Sequence, residues 1–241
     1  MPANDKHMCF KAPMNENVKV WRYMDLAKFL SLISEKSLYF CRIDQLDDPY
    51  EGAISNANIS LRPVVYKDVD SIELSKKLTS INLQMRNNTY VNCWHMNNYE
   101  SEAMWKIFGK IDEAIAIQST YKELKENLSN EVYIGMIKYI DYEEDWLPEN
   151  NLLHTCMHKR KAFEHEKEVR ALINNIDNVV KGTVATNNGI LIPINLENVI
   201  KNIYISPTAQ IWFAELVKGI IQKYEIKIPV ITSNLAKAPV F

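Results

Sequence analysis

Glu166-Lys167-Glu168-Val169-Arg170-Ala171-Leu172-Ile173 places two acids two residues apart at the head of an apolar-rich run. In a strand, residues i and i+2 share a face, about 7 Å apart. In a helix the two carboxyls would diverge, so they converge on one target only in extended backbone. Two carboxylates this close resist joint ionisation unless a cation, or positive charge developing in a reaction, sits between them. The stretch therefore predicts a strand from Glu168 with a candidate catalytic pair at its start. The plainer alternative is a solvated strand edge carrying salt-bridged acids.

Upstream, Val18–Tyr23 alternates like a strand, and Asp25 caps an amphipathic helix with Leu26, Phe29, Leu30 and Ile33 at helical spacing. Leu38–Cys41 is a short strand leading to the turn-like Asp47–Gly52. A helix is expected over Ser71–Met85 and a strand over Thr89–Trp94. A short helix should run from Ser101 through Phe108 and end at Gly109, before a buried strand at Ala114–Ile117. Thr120 and Glu123 form a capping box for a helix to Leu128. Glu131–Tyr142 reads as one long strand and Asn151–His165 as partly helical. Gly189–Ile194, Ile203–Ile205 and Ile226–Ile231 read as strands. A helix opening at Thr208 carries Ile211, Trp212, Leu216, Val217 and Ile220 as a core stripe.

The elements do not alternate as in a doubly wound sheet, and no Gly-rich phosphate loop follows a strand. The expected class is α+β, a mixed and mainly antiparallel sheet with flanking helices. It should form one domain over residues 17–241 behind a loosely held segment 1–16. A chain of 241 residues, 47% hydrophobic and 24% charged, can bury one sizeable core. A net charge of -2 argues against a protein that mainly coats nucleic acid, while a local basic groove stays open. Cys9, Cys41, Cys93 and Cys156 form no paired spacing, which fits a reduced compartment. With no signal-peptide pattern and no apolar run long enough to span a bilayer, a cytoplasmic protein without a membrane partner is expected.

Several residues could serve the acid pair. Arg22, between Trp21 and Tyr23, can clamp a phosphate or simply salt-bridge. Ser119 and Thr120 end a buried strand, where hydroxyls orient a ligand or cap a helix. Trp94 could stack on a nicotinamide or a base, although core packing is the commoner fate of such aromatics, and Tyr23 and Trp105 are further candidates. His95 is a candidate acid or base. Lys159, flanking the acids, is a phosphate ligand or a solvated cation. Asp47, Asp48 and Glu51 could join Glu166 and Glu168 around magnesium in a nuclease, although Asp-Asp-Pro-Tyr is a good turn in its own right. No metal is assigned.

The order Arg22, Ser119-Thr120, Glu166-x-Glu168 resembles the arginine-serine-glutamate class of ADP-ribosyltransferases, departing from it at Tyr121, where a second serine belongs. The resemblance implies an ADP-ribosyltransferase-like fold and NAD as substrate, its nicotinamide–ribose bond breaking through an oxocarbenium-like state. It implies that Glu168 stabilises the cation, Glu166 orients or deprotonates the acceptor, Arg22 holds phosphate and Ser119 fixes Glu168. A second resemblance spans nearly the whole chain. Leu38-Tyr39-Phe40, Asp47–Gly52, Asn92-Cys93-Trp94, Glu100-Ser101, Met104-Trp105 and Lys159…Phe163…Glu166-x-Glu168-x-Arg170 are similar to blocks of a bacterial family labelled domain of unknown function 2971, with Phe163 where tryptophan is commoner. That family implies a bacterial or phage-associated protein without an agreed activity. The alternatives to a transferase are a metal-dependent nuclease and a non-catalytic binding or regulatory module of a defence or mobile-element system. The acceptor stays open between protein, nucleic acid and small molecule.

Overall fold

In the computed structural model, which describes residues 4, 6–67, 70–108 and 113–239, the acid-led stretch is strand β8, Glu168–Asn174. Its residues pair on one edge with β3 (Thr89–Met96) and on the other with β5 (Tyr133–Met136), both antiparallel. Beyond β3 lie β1 (Lys19–Asp25), β4 (Ala114–Thr120), β10 (Asn202–Ile205) and β11 (Val230–Thr232) in one direction. β2 (Ser37–Arg42) and β9 (Gly189–Pro193) lie in the other. Among the described strands of this nine-stranded sheet, only the β10–β11 ladder is parallel. A separate parallel pair joins β6 (Lys138–Ile140) to β7 (His158–Arg160). The fold is α+β with a mixed, mainly antiparallel sheet.

The sheet forks along β3. β1 meets β3 only at Val20–Met96 and Trp21–His95, and β2 meets it only at Cys41–Val91 and Arg42–Tyr90. Between these contacts the β3 edge has no strand ladder beside it, whereas β8 follows the whole opposite edge. Alternation then sorts the side chains. One face packs Val20, Trp94, Ile115, Ile117 and Val169 beneath Phe29, Leu124 and Phe213 of three helices. These are α1 (Leu26–Glu35), α5 (Tyr121–Asn127) and α8 (Ile211–Lys223). The other face carries an aromatic cluster of Trp21, Tyr23 and Trp105 and, beside it, Val91, Leu172 and Cys156.

Local chemistry sets the helix ends as expected. Asp25 accepts the Lys28 N–H and Thr120 accepts the Glu123 N–H. Asp70 caps α3 (Ser71–Asn87), and Ser101 precedes α4 (Glu102–Phe108). Gly109, the expected stop, lies outside the described residues.

Three expectations need correction, one segment was not read, and the partly helical Asn151–His165 is resolved in detail. The N-terminal segment is anchored at points along its described residues: Cys9 and Phe10 are buried, and Asn4 and Lys11 bridge to Tyr133 and Met136, while Met8 and Met14 stay exposed. It covers the free edge of β5, where unpaired backbone groups need partners. Glu131–Tyr142 is not one strand. At Ile137 the backbone N–H turns to the Glu168 carbonyl, and β6 continues in the small sheet. α2 (Asn56–Val65) lay outside the sequence reading because its buried face is Ala57, Asn58 and Arg62, while Ile59, Leu61, Val64 and Val65 face out. Asn151–His165 holds two 3-10 helices, Leu152–Met157 and Lys161–Glu166, separated by β7. The last helix starts at Ile211, and it buries Phe213, Val217 and Ile221; Ile211 is 79% and Trp212 52% exposed.

Gly135 makes the N-terminal packing testable. A Cβ there would stand 2.9 Å from both Lys11 N and Phe10 Cα, which are backbone atoms. Gly135→Ala is expected to lift the N-terminal segment at a cost of roughly 1–3 kcal/mol. Limited proteolysis should then cut before residue 17 in the variant and spare the wild type. Equal resistance would contradict this packing.

Candidate active site

Glu166 ends the second 3-10 helix, Glu168 begins β8, and Lys167 between them is left-handed at φ 42°. The acids are therefore brought together by a turn, not by strand alternation. Three contacts hold that turn. The Met96 N–H donates to the Lys167 carbonyl at 2.9 Å, and the Glu168 N–H donates to the Tyr139 hydroxyl at 2.7 Å. His95 Nδ1 lies 2.5 Å from the Glu166 carbonyl oxygen.

Both acids converge on one cation. Lys159 Nζ is 2.6 Å from Glu166 Oε2, 3.5 Å from Glu168 Oε2 and 3.1 Å from Glu51 Oε1. Behind it Arg170 is fully buried and uses all five of its N–H donors. Nε and Nη2 reach Glu168 at 2.6 and 3.0 Å, Nη1 and Nη2 reach Glu51 at 2.8 and 3.1 Å, and Nη1 also reaches the Cys156 carbonyl at 2.8 Å. Three carboxylates thus face two cations.

The electrostatics follow from this crowding. Burial pushes the Glu168 carboxyl up, but Arg170 and Lys159 outweigh it and hold the group at about 2. Burial pushes Glu166 up as well, and there Lys159 does not compensate, because Glu168 and Glu51 repel its charge. Burial works against the Lys159 ammonium, yet Glu168 and Glu51 keep it above its ordinary value. Burial and the Glu168 charge both raise the Cys93 thiol, and burial raises the Tyr139 phenol.

Arg22 behaves differently. Nη1 donates to the Cys93 carbonyl at 2.8 Å, so the guanidinium closes the open edge of β3 at the fork. Among the described residues no carboxylate forms an ion pair with it. Arg42, Arg62 and Arg160 are matched by Asp44, Glu149 and Asp48. Burial draws the Arg22 pKa down, while Cys93, Cys41 and the Glu168 charge favour its cation. Glu168 is the smallest of these influences.

Ser119 does not join them. One row of backbone partners runs Gln118–Trp21–His95–Glu168, so three strand spacings, about 14 Å, separate the end of β4 from Glu168. The buried Ser119 side chain bonds its neighbour's carbonyl, Thr120 O, and Thr120 pairs with Glu123 as a helix cap. Ser119 thus cannot fix Glu168. Trp94 is likewise spent in the core, its Nε1 donating to Asn92 Oδ1 at 2.6 Å. It presents no ring for stacking.

The remaining candidates divide. Tyr23 packs edge-on against Trp105 with ring centroids 4.9 Å apart, and near His95 at 6.3 Å. The Asp47–Gly52 turn sends Asp48 and Glu51 inward, while Asp47 is exposed. Asp48 takes a bidentate contact from Arg160, whose guanidinium lies over Tyr50 and Phe163. With Glu51 bound to Arg170 and Lys159, these acids are engaged by cations. Among the described residues no three His, Cys, Asp or Glu side chains group to hold a metal ion. Two participants escaped the sequence reading, Tyr139 and Cys93. Only the long-range pairing of β6 and β3 with the acid-bearing turn brings them in.

No family model matches the chain, and no curated protein does. The similarity to the domain of unknown function 2971 therefore rests on its motifs alone. Solved structures similar to the chain include Thermus sp. 2.9 DarT in complex with NAD+, at 7% identity and a TM-score of 0.44 over 95% of this chain and 100% of that one. The same protein in complex with ADP-ribosylated ssDNA matches at 7% identity and 0.43, over 93% and 96%. At such identities and scores the likeness decides neither ligand nor reaction. Among the described residues no helix is long and apolar enough to cross a membrane.

Removing Arg170 tests the charge balance. Glu168 has a lowered folded pKa, so its stabilisation is present above the unfolded value near 4.5 and is lost as pH falls toward about 2. Arg170→Met should cost about 3–5 kcal/mol at pH 7 by stranding buried carboxylates. Urea melts should show wild type and variant converging as pH drops through the carboxylate range, where the stranded acids protonate. Parallel stability curves would count against the network.

Proposed function

We propose that this protein is an ADP-ribosyltransferase-like enzyme that cleaves the nicotinamide–ribose bond of NAD and passes ADP-ribose to an acceptor. One observation carries the reading. Arg22 offers a half-buried guanidinium without a counter-ion among the described residues, at the fork of the sheet, and feels the charge of Glu168. A cation withdrawn from water without a partner is costly, and a bound pyrophosphate supplies the missing anion with bidentate geometry. The acid pair supplies the second requirement. Glu166 and Glu168 already surround a cation, Lys159, and a ribosyl cation would meet the same negative field.

The roles shift from those the family pattern implies. Glu168 is held by Arg170 and acts as fixed negative charge. Glu166, whose side chain is 14% exposed, is the more accessible carboxylate. The nuclease alternative gains no support from Asp48 and Glu51, which are neutralised by Arg160, Arg170 and Lys159.

Thermal unfolding with ligand tests the reading. NAD at about a hundred times its dissociation constant should stabilise the wild type by about 2.7 kcal/mol, a shift of several degrees. Arg22→Met should keep its unliganded melting temperature and lose most of that shift. The absence of any response of the wild type to NAD, ADP-ribose or pyrophosphate would sink the proposal.

A further inference from the structure

His95 is only 6% exposed and stands in the backbone row between Trp21 and Glu168. The Glu166 carbonyl can only accept, so the 2.5 Å contact places the ring proton on Nδ1. In the neutral ring Nε2 then holds a lone pair, and that atom is buried without a hydrogen-bond partner. Burial lowers the His95 pKa; the Glu166 carbonyl opposes this, while Lys167 and His165 add to it. Tyr23 from β1 and Glu168 from β8 are the other ionisable groups beside the ring. At neutral pH the imidazole is therefore uncharged.

A buried acceptor left without a donor costs roughly 1–3 kcal/mol. Here that acceptor belongs to a base whose other nitrogen is fixed by an orienting group, next to the acid pair. Glu166 suits the same task less well, because its Oε2 is bound to the Lys159 ammonium at 2.6 Å.

We infer that His95 is the general base of the transfer, and that the acceptor is a neutral O–H or N–H nucleophile. This rests on the proposed NAD chemistry. The nucleophile's heavy atom bonds to the ribose carbon, and its proton passes to His95 Nε2. Nicotinamide leaves as a neutral ring with the electron pair of the broken C–N bond, and the imidazolium returns its proton to solvent. Hydroxyls, amides and ring N–H groups fit this exchange. A carboxylate acceptor has no proton to give and would enter against the charges of Glu166 and Glu168.

His95→Asn separates the two nitrogens: its amide N–H can still reach the Glu166 carbonyl, but nothing replaces Nε2. Nicotinamide release from NAD, with water as the O–H acceptor, is followed between about pH 5 and 8. The wild-type rate should fall on acidification with an apparent pKa below about 6.5. His95→Asn should keep the melting temperature and the NAD-induced shift, yet lose roughly 10²–10⁴-fold in kcat together with that acid limb. A variant with wild-type kcat and an unchanged pH profile overturns the assignment and leaves the NAD reading standing. A wild type that neither binds nor cleaves NAD defeats the reading first. Nitrogen-15 NMR of the free protein then judges the histidine alone, and a protonated Nε2 at pH 7 overturns it.

Discussion

A guanidinium cannot be withdrawn from water unless every N–H finds an acceptor and its charge finds a counter-charge. Arg170 meets both conditions, and much of this molecule is arranged to let it. Its partners come from the Asp47–Gly52 turn, from the end of a 3-10 helix at Cys156 and from its own strand at Glu168. Two of these segments also carry core residues, Cys156 and Met157 in the 3-10 helix and Val169, Ala171 and Leu172 in the strand. Glu51 ties the turn to Arg170, and Glu168, two residues before Arg170, ties the start of β8 to the same guanidinium. Lys159 and Glu166 are organised around this kernel, which sets the acid pair in one orientation.

Against that saturated cluster stand two groups left incomplete. Among the described residues Arg22 spends one N–H on a strand carbonyl and has no counter-ion, and His95 spends one nitrogen and leaves the other bare. Both lie on the β1–β3 side of the acid pair, along the line where the sheet opens. Rigid, satisfied charge on one side and unsatisfied polar groups on the other is the division expected of a scaffold and the site it supports.

The elements legible in the sequence were those whose signals are local. Asp25 and the Thr120–Glu123 pair marked helix starts, and the alternation after Glu168 marked its strand. α2 was illegible because its inward side is Asn58 and Arg62, so the usual link between apolar residue and buried face is inverted. In α8 the stripe of Ile211, Trp212 and Leu216 was as apolar as the stripe actually buried, and hydropathy cannot choose between two apolar faces. Lys159 read as a solvated cation because its three carboxylates are supplied by folding. Ser119 and Trp94 matched a motif by residue type, yet strand register put one too far away and turned the other into the core. Distance across a sheet is not written in residue order, and Glu51 lies 119 positions from Arg170.

The N-terminal strap over β5 also bears on when the molecule can be completed. Asn4 and Lys11 leave the ribosome well before the backbone they cover, since Tyr133 and Met136 are made more than a hundred residues later. The strap must wait unpaired through that interval, and its closure adds contacts of very high contact order, which slow folding. Until it docks, β5 offers an open edge to any neighbouring chain.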